Sequence, residues 1–151
     1  MVTLNQNFAA PAFTGEFRHK IEGKNRVTIP SAWRFAEDVE LFMIPRSIQT
    51  SIGVMTRAEV ERIKADVTTK LDPIPRAKFL ETFGRELRQV TLDKAGRITI
   101  PDELCTSFRL AKEVWLTGAV ETFNIWNVAD FEADRARQRA AAADVMSQLG
   151  I

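Results

Sequence analysis

Two segments of the chain place an acidic residue four positions before an arginine: Glu22 before Arg26, and Asp93 before Arg97. In a tight hairpin the carboxylate of such a pair can accept hydrogen bonds from turn amides and pair with the arginine. An arginine held on a rigid hairpin can instead contact DNA phosphates and the edges of guanine bases. One copy of this spacing favours the turn role, whereas two equivalent copies shift the interpretation toward DNA binding.

Basic residues are concentrated around both motifs. The chain has a formal net charge of only +1, so a nucleic-acid site requires positive charge that is concentrated locally. The candidate DNA-binding residues are Arg18, Lys20, Lys24, Arg26, Lys94 and Arg97. The same basic segments also contain Arg34, Arg85 and Arg88. The alternative interpretation is that these side chains only solvate exposed strand edges and turns.

The two motifs belong to an internal repeat. Residues 21–34 align with residues 92–105 at the offset that relates Arg26 to Arg97, which is 71 residues. The same offset aligns residues 53–61 with residues 124–132. Agreement at two separated stretches indicates a tandem duplication.

Each repeat unit predicts a hairpin that would position its motif. Asn25 and Gly96 precede the two arginines, and both residue types adopt the left-handed backbone conformation readily. Pro30 and Pro101 end the following β-branched segments and can open a helical turn. The predicted strands are 13–21, 27–29, 39–44 and 52–55 in the first unit, and 89–92, 98–100, 114–116 and 123–126 in the second.

Helices are predicted after the strands. Thr56 and Glu59 have the spacing of a capping box and begin a helix that residues 72–75, which include two prolines, interrupt. A second helix with one apolar face follows, and an alanine-rich helix is predicted at 128–148. The apolar stripes of the first two helices are Val60, Ile63 and Val67, then Phe79, Leu80, Phe83 and Leu87.

The sequence supplies little chemistry for an enzyme. His19 is the only histidine and Cys105 the only cysteine, so a zinc-type ligand cluster has too few ligands. The seven glycines are scattered and form no phosphate-binding loop. We expect His19 on a strand face or at a phosphate, and Cys105 as a small core residue. The expectation is a protein without catalytic residues, metal, cofactor or small-molecule substrate.

The sequence also predicts a cytoplasmic location. No apolar run approaches the roughly 20 residues that a membrane helix requires. The N-terminal residues lack the basic start and apolar core of a secretory signal. A single cysteine agrees with a reducing compartment. We therefore expect no membrane partner.

The second motif also carries a family resemblance. Residues 93–101, DKAGRITIP, look like the signature of the SpoVT-AbrB fold group. Two such units in a chain of this length resemble the MraZ family of bacterial transcriptional regulators, over roughly residues 13–133. The first motif departs from the family pattern at Glu22, where Asp is usual, and at Asn25, where Gly is usual. Arg26 itself is kept.

The resemblance implies an α+β fold, mainly β, in which two SpoVT-AbrB units interleave into a small β-barrel flanked by helices. Glu22, Asn25, Asp93 and Gly96 would then support the two turns. The resemblance further implies ring-like homo-oligomers, binding to direct repeats in promoter DNA at the nucleoid, and regulation of a cell-division and cell-wall gene cluster. The expected divisions are an N-terminal extension (1–12), a first unit (13–71), a connecting helix (72–88), a second unit (89–133) and a helical tail (134–151).

A different function stays open as the alternative. Antitoxins that neutralise a partner toxin share the AbrB-type unit, so the chain could be a module that binds a partner protein. Those antitoxins resemble a single unit followed by a disordered tail. The two units and short tail of this chain favour the regulator.

Overall fold

The computed structural model describes residues 11–34, 39–46 and 50–151. Within these ranges the chain forms eight strands and four α-helices. The strands are β1 (Glu16–Glu22), β2 (Arg26–Thr28), β3 (Glu40–Arg46), β4 (Ser51–Thr56), β5 (Arg88–Thr91), β6 (Arg97–Thr99), β7 (Glu113–Gly118) and β8 (Thr122–Asn127). The helices are α1 (Arg57–Lys70), α2 (Pro73–Glu86), α3 (Asp102–Ser107) and α4 (Val128–Gln148).

All eight strands join one sheet in the order β5-β3-β4-β8-β7-β1-β2-β6. The end strands of this order, β5 and β6, are consecutive in the chain and meet at a tight turn. The Asp93 N–H donates to the Arg97 carbonyl at 2.9 Å across that turn. The sheet therefore curls into a nearly closed barrel.

The two repeat units exchange strands within this sheet. Strand β1 of the first unit pairs with β7 of the second unit. Strand β5 of the second unit pairs with β3 of the first unit. All the neighbouring strand pairs in the sheet are antiparallel. The predicted fold, an interleaved β-barrel flanked by helices, is confirmed.

A pseudo-twofold axis relates the two units. Val27 lies opposite Ile98 in the β2–β6 pair, and Gly53 lies opposite Asn124 in the β4–β8 pair. Both pairs join residues that the repeat offset of 71 positions makes equivalent. Two hydrogen bonds follow the same symmetry. The Ile29 N–H donates to the Gly96 carbonyl at 2.8 Å, and the equivalent Ile100 N–H donates to the Asn25 carbonyl at 2.9 Å. The axis thus crosses the barrel at two opposite points.

The barrel interior is filled by alternating apolar residues of the strands. Val27 and Ile98 are 0% and 1% exposed on the axis. The two units differ near one end, where Trp33 occupies the position equivalent to Leu104. The Trp33 ring packs edge-on against Phe13 at 5.7 Å, and its Nε1 donates to the Thr14 carbonyl at 2.8 Å. This hydrogen bond satisfies the polar end of a fully buried side chain.

A second apolar cluster holds α1 and α2 on the outside of β3 and β4. It contains Phe42, Met55, Val60 and Phe83. The N-terminus of α1 is capped as predicted, with the Glu59 N–H donating to Thr56 Oγ1 at 3.2 Å. Within the described ranges no helix has the length and apolar character needed to span a membrane.

The strand predictions need one correction. The first strand begins at Glu16 instead of residue 13, because Gly15 has a φ of +93° and bends the chain. Phe13 forms an isolated bridge with Val120 before this bend. Of the predicted N-terminal extension, 1–12, only residues 11 and 12 lie inside the described ranges.

Candidate nucleic-acid interface

The two motif arginines share the outer face of the β2–β6 ribbon. Side chains alternate along a strand, and paired residues of antiparallel strands lie on the same face. Since Val27 and Ile98 are paired and buried, the flanking pairs face outward. In these pairs Arg26 lies opposite Thr99, and Arg97 lies opposite Thr28. The two arginines therefore occupy symmetry-related positions on either side of the pseudo-twofold axis.

The second hairpin is fixed by Asp93. Its Oδ1 accepts hydrogen bonds from the backbone N–H groups of Ala95 and Arg97, both at 2.9 Å, and its Oδ2 accepts from Arg97 Nε at 3.1 Å. These bonds, above all the one from the Arg97 backbone, lower the pKa of the Asp93 carboxyl below its usual value. Gly96 completes the turn with a φ of +78°. Asp93 thus has the turn role considered for both motifs.

The first hairpin has a different geometry. Lys24 and Asn25 both have positive φ values, 67° and 59°. Arg26 Nε donates to the Gly23 carbonyl at 3.1 Å, so backbone holds this arginine instead of a carboxylate. The Asn25 side chain reaches across the axis and donates to the Asp102 carboxylate. Among the described residues, Glu22 accepts no hydrogen bond from its own turn.

The Glu22 carboxylate instead faces the other unit. Its Oε1 lies 3.9 Å from Nη1 of Arg97. Arg97 is therefore close to two carboxylates, those of Glu22 and Asp93, whereas Arg26 has no carboxylate partner in the described part of the chain. The two arginines are equivalent in position but not in charge environment.

Three predicted lysines lie exposed near the ribbon. Lys24 and Lys94 lie in the two turns, and Lys20 lies on β1. Within the described ranges none of the three forms an ion pair. Their ammonium groups remain available to anions, and lysines of this kind suit phosphate contacts.

Arg18, unlike these lysines, is paired with carboxylates. It lies on β1, where its guanidinium donates to Glu113 at 2.9 Å and to Glu132 at 3.4 Å. Arg135 is engaged in a similar way, because it pairs with Glu16 at 3.0 Å and lies over the Trp115 ring at 4.9 Å. The contacts of Glu132 and Arg135 fasten α4 to the barrel, whereas the contact of Arg18 with Glu113 joins β1 to β7.

Arg34 is a basic residue near the ribbon that was not among the predicted site residues. Its Nε donates to the Ile29 carbonyl at 2.9 Å. Its guanidinium lies across the second turn, where a Cβ on Gly96 would be 2.6 Å from Arg34 Cζ. Arg34 belongs to the first basic segment of the sequence, but only the closed barrel brings it to the second hairpin.

His19 and Cys105 have local structural contacts. His19 Nδ1 lies 2.6 Å from the Thr28 carbonyl, which ties β1 to β2. The Cys105 thiol is partly buried against the core, and this burial raises its pKa. The side chain lies 3.9 Å from the Ile100 carbonyl. Cys105 therefore packs as the small core residue expected from the sequence.

The chain is similar to known proteins over most of its length. The family model described as "MraZ protein, putative antitoxin-like" matches residues 84–148. A protein of Caulobacter vibrioides named "Transcriptional regulator MraZ" is 30% identical over 141 residues, which are 91% of this chain and 90% of that protein. A protein of the same name from Acetivibrio thermocellus is 29% identical over 145 residues, 92% of this chain and 99% of that protein. On this similarity, the chain belongs to the MraZ family.

Proposed function

We propose that this protein regulates transcription by binding double-stranded promoter DNA through the outer face of the β2–β6 ribbon. The observation that carries the proposal is the placement of Arg26 and Arg97 about the pseudo-twofold axis. A two-stranded β-ribbon fits the major groove of B-DNA, where bidentate arginine–guanine contacts are the commonest specific ones. The names of the two relatives support a role in transcription.

The charges on this face suit the same partner. Lys20, Lys24 and Lys94 surround the two arginines and can neutralise phosphates. Phosphate contacts would position the ribbon, and the arginines would contact bases. The relatives' names and this arrangement both favour a binding protein over an enzyme.

We extend the proposal to the oligomeric state of the protein and to the genes that it regulates. One ribbon offers few contacts, whereas specific regulators bind DNA with dissociation constants of about 10⁻⁸ M or tighter. Several linked copies on direct repeats could gain roughly 10²–10⁴-fold through avidity. We therefore infer a ring-like homo-oligomer that acts in the cytoplasm at the nucleoid. Its target would be the promoter of a cell-division and cell-wall gene cluster, as the family resemblance implies.

The experiment is selection of binding sites from random double-stranded DNA with the purified full chain, followed by titration of the enriched duplex. We expect one repeated motif, with affinity that falls steeply as salt rises, at about −0.9 in log–log slope for each neutralised phosphate. The double variant R26A/R97A should lose selective binding. Lys78→Ala, an exposed basic residue on α2, is the matched control and should bind normally. Absence of enrichment, or affinity independent of salt, contradicts the proposal.

A second candidate function is binding of a partner protein, as in an antitoxin. The matching family model, which describes its members as "putative antitoxin-like", favours it. Affinity purification of the full chain from its own cells, followed by mass measurement of what co-purifies, tests this candidate. A stoichiometric toxin-sized partner, together with no selective DNA binding, would favour it over the regulator.

A further inference from the structure

The two ends of the ribbon differ in how their positive charge is supplied. At the first hairpin, the Gly23 carbonyl is the one hydrogen-bond partner of the Arg26 guanidinium among the residues that the structure describes. At the second, Arg97 lies near the carboxylates of Asp93 and Glu22, at 3.1 and 3.9 Å. An arginine close to two carboxylates attracts a further anion less strongly than an unpaired one. By itself, the second end would therefore be the weaker site for DNA.

Arg34 adds positive charge at that weaker end. Its Nε is fixed by the Ile29 carbonyl at 2.9 Å, and its guanidinium lies over Gly96 in the second turn. Gly96 permits this approach because it has no side chain, and a Cβ there would lie 2.6 Å from Nε and 2.9 Å from Nη1 of Arg34. Among the described residues Arg34 has no carboxylate partner, and its side chain is exposed.

Among the described residues, the first hairpin has no counterpart to Arg34. The repeat offset makes Cys105 its equivalent, and Cys105 is a partly buried residue that packs against the core. Arg34 therefore supplies a cation at the end of the ribbon where the carboxylates of Asp93 and Glu22 offset the charge of Arg97. The first end, where Arg26 has no carboxylate partner in the described part of the chain, does not need this second cation.

We propose that Arg34 contacts DNA beside the second hairpin and thereby restores, at that end of the ribbon, the positive charge that the carboxylates of Asp93 and Glu22 offset. This inference rests on the proposed DNA-binding function. It assigns to Arg34 an acceptor on the DNA, either a phosphate oxygen or a guanine edge, that lies on the Gly96 side of the axis.

The affinity test compares Arg34→Ala with the unmodified chain on a short duplex that carries one copy of the selected motif. We expect roughly tenfold weaker binding and a log–log salt slope reduced by about 0.9 if the contact is to a phosphate. A contact to guanine would instead lower affinity while leaving the slope nearly unchanged, and would relax the sequence preference at one position. Lys78→Ala is again the control, and thermal melting of each variant verifies folding.

The outcomes separate the two proposals. Failure of the unmodified chain to bind DNA selectively would overturn the proposed function, and this inference with it. Selective binding by the unmodified chain, together with unchanged affinity, salt slope and sequence preference in Arg34→Ala, would overturn only the role of Arg34.

Discussion

The Asp93 carboxylate holds Arg97 at both its backbone and its side chain, with Oδ1 2.9 Å from the backbone nitrogen and Oδ2 3.1 Å from Nε. These contacts need the ionised carboxylate, and they lower the pKa of Asp93. A carboxyl whose pKa is lower in the folded state stabilises the fold above its unfolded pKa. That contribution disappears as the pH falls through the folded pKa.

The first prediction concerns acid. Asp93→Asn should lower the melting temperature at pH 7, and the difference from the unmodified chain should shrink as the pH falls from neutral through the lowered pKa of Asp93. Glu22→Gln is the matched control, because Glu22 accepts no hydrogen bond from its turn within the described residues. Melting curves recorded across this pH range decide the matter. A difference that stays constant down to pH 2 would contradict the role of the carboxylate.

The second prediction separates the two motif arginines. Arg26→Ala should weaken DNA binding by about 1–3 kcal/mol with little change in melting temperature, because only one backbone carbonyl loses its partner. Arg97→Ala should lower both the affinity for DNA and the melting temperature, since it also removes the side-chain partner of Asp93. For a chain of this size, each kcal/mol of stability corresponds to roughly 2–4 °C. Equal losses of melting temperature in both variants would contradict the structural difference between the hairpins.

The third prediction compares two glycines. Gly96→Ala should destabilise the fold by at least about 1 kcal/mol, because alanine is strained at a φ of +78° and its Cβ would overlap Arg34. Gly84→Ala on α2 is the control. Nothing lies within 4 Å of a Cβ there, so the helix should gain about 0.5–1 kcal/mol. Urea unfolding measures both, and a Gly96→Ala chain as stable as the unmodified one would be the contrary result.

The fourth prediction concerns assembly. Light scattering coupled to size exclusion should give a homo-oligomer larger than a dimer, which binds three-repeat DNA far more tightly than one-repeat DNA. Phe79 and Ile74 are large apolar residues on α2 that are 37% and 71% exposed, and these side chains are candidates for the subunit contact. Phe79→Ser should reduce the oligomer mass, while Lys78→Ser should not. A monomer that binds both DNAs equally well would contradict the prediction.

Local features were predictable from the sequence because short-range chemistry determines them. Asn25 and Gly96 do adopt positive φ, and Thr56 caps the helix that follows it. The final helix spans 128–148 as predicted. In each case the deciding signal lies within a few residues of the feature itself.

Contacts that depend on closure of the barrel were not predictable in this way. Arg18, which the sequence predicts at DNA, also pairs with Glu113 and Glu132, which lie 95 and 114 positions away. Arg34 reaches Gly96 only because β2 and β6 are neighbours in the sheet. The repeat offset reveals which positions are equivalent, but it does not say which charged side chains the folded sheet brings together.

Val27 pairs with Ile98, and Gly53 pairs with Asn124, so that each residue lies opposite its own equivalent in the other repeat unit. Two separate copies of one half-length chain would form the same pairs as a homodimer. In such a dimer, folding would depend on protein concentration, and every substitution would appear on both sides of the axis. Joining the halves in one polypeptide makes their association intramolecular and lets each half evolve independently. Leu104 at the position equivalent to Trp33, and Cys105 at the position equivalent to Arg34, are differences that a homodimer of one half-length chain could not hold.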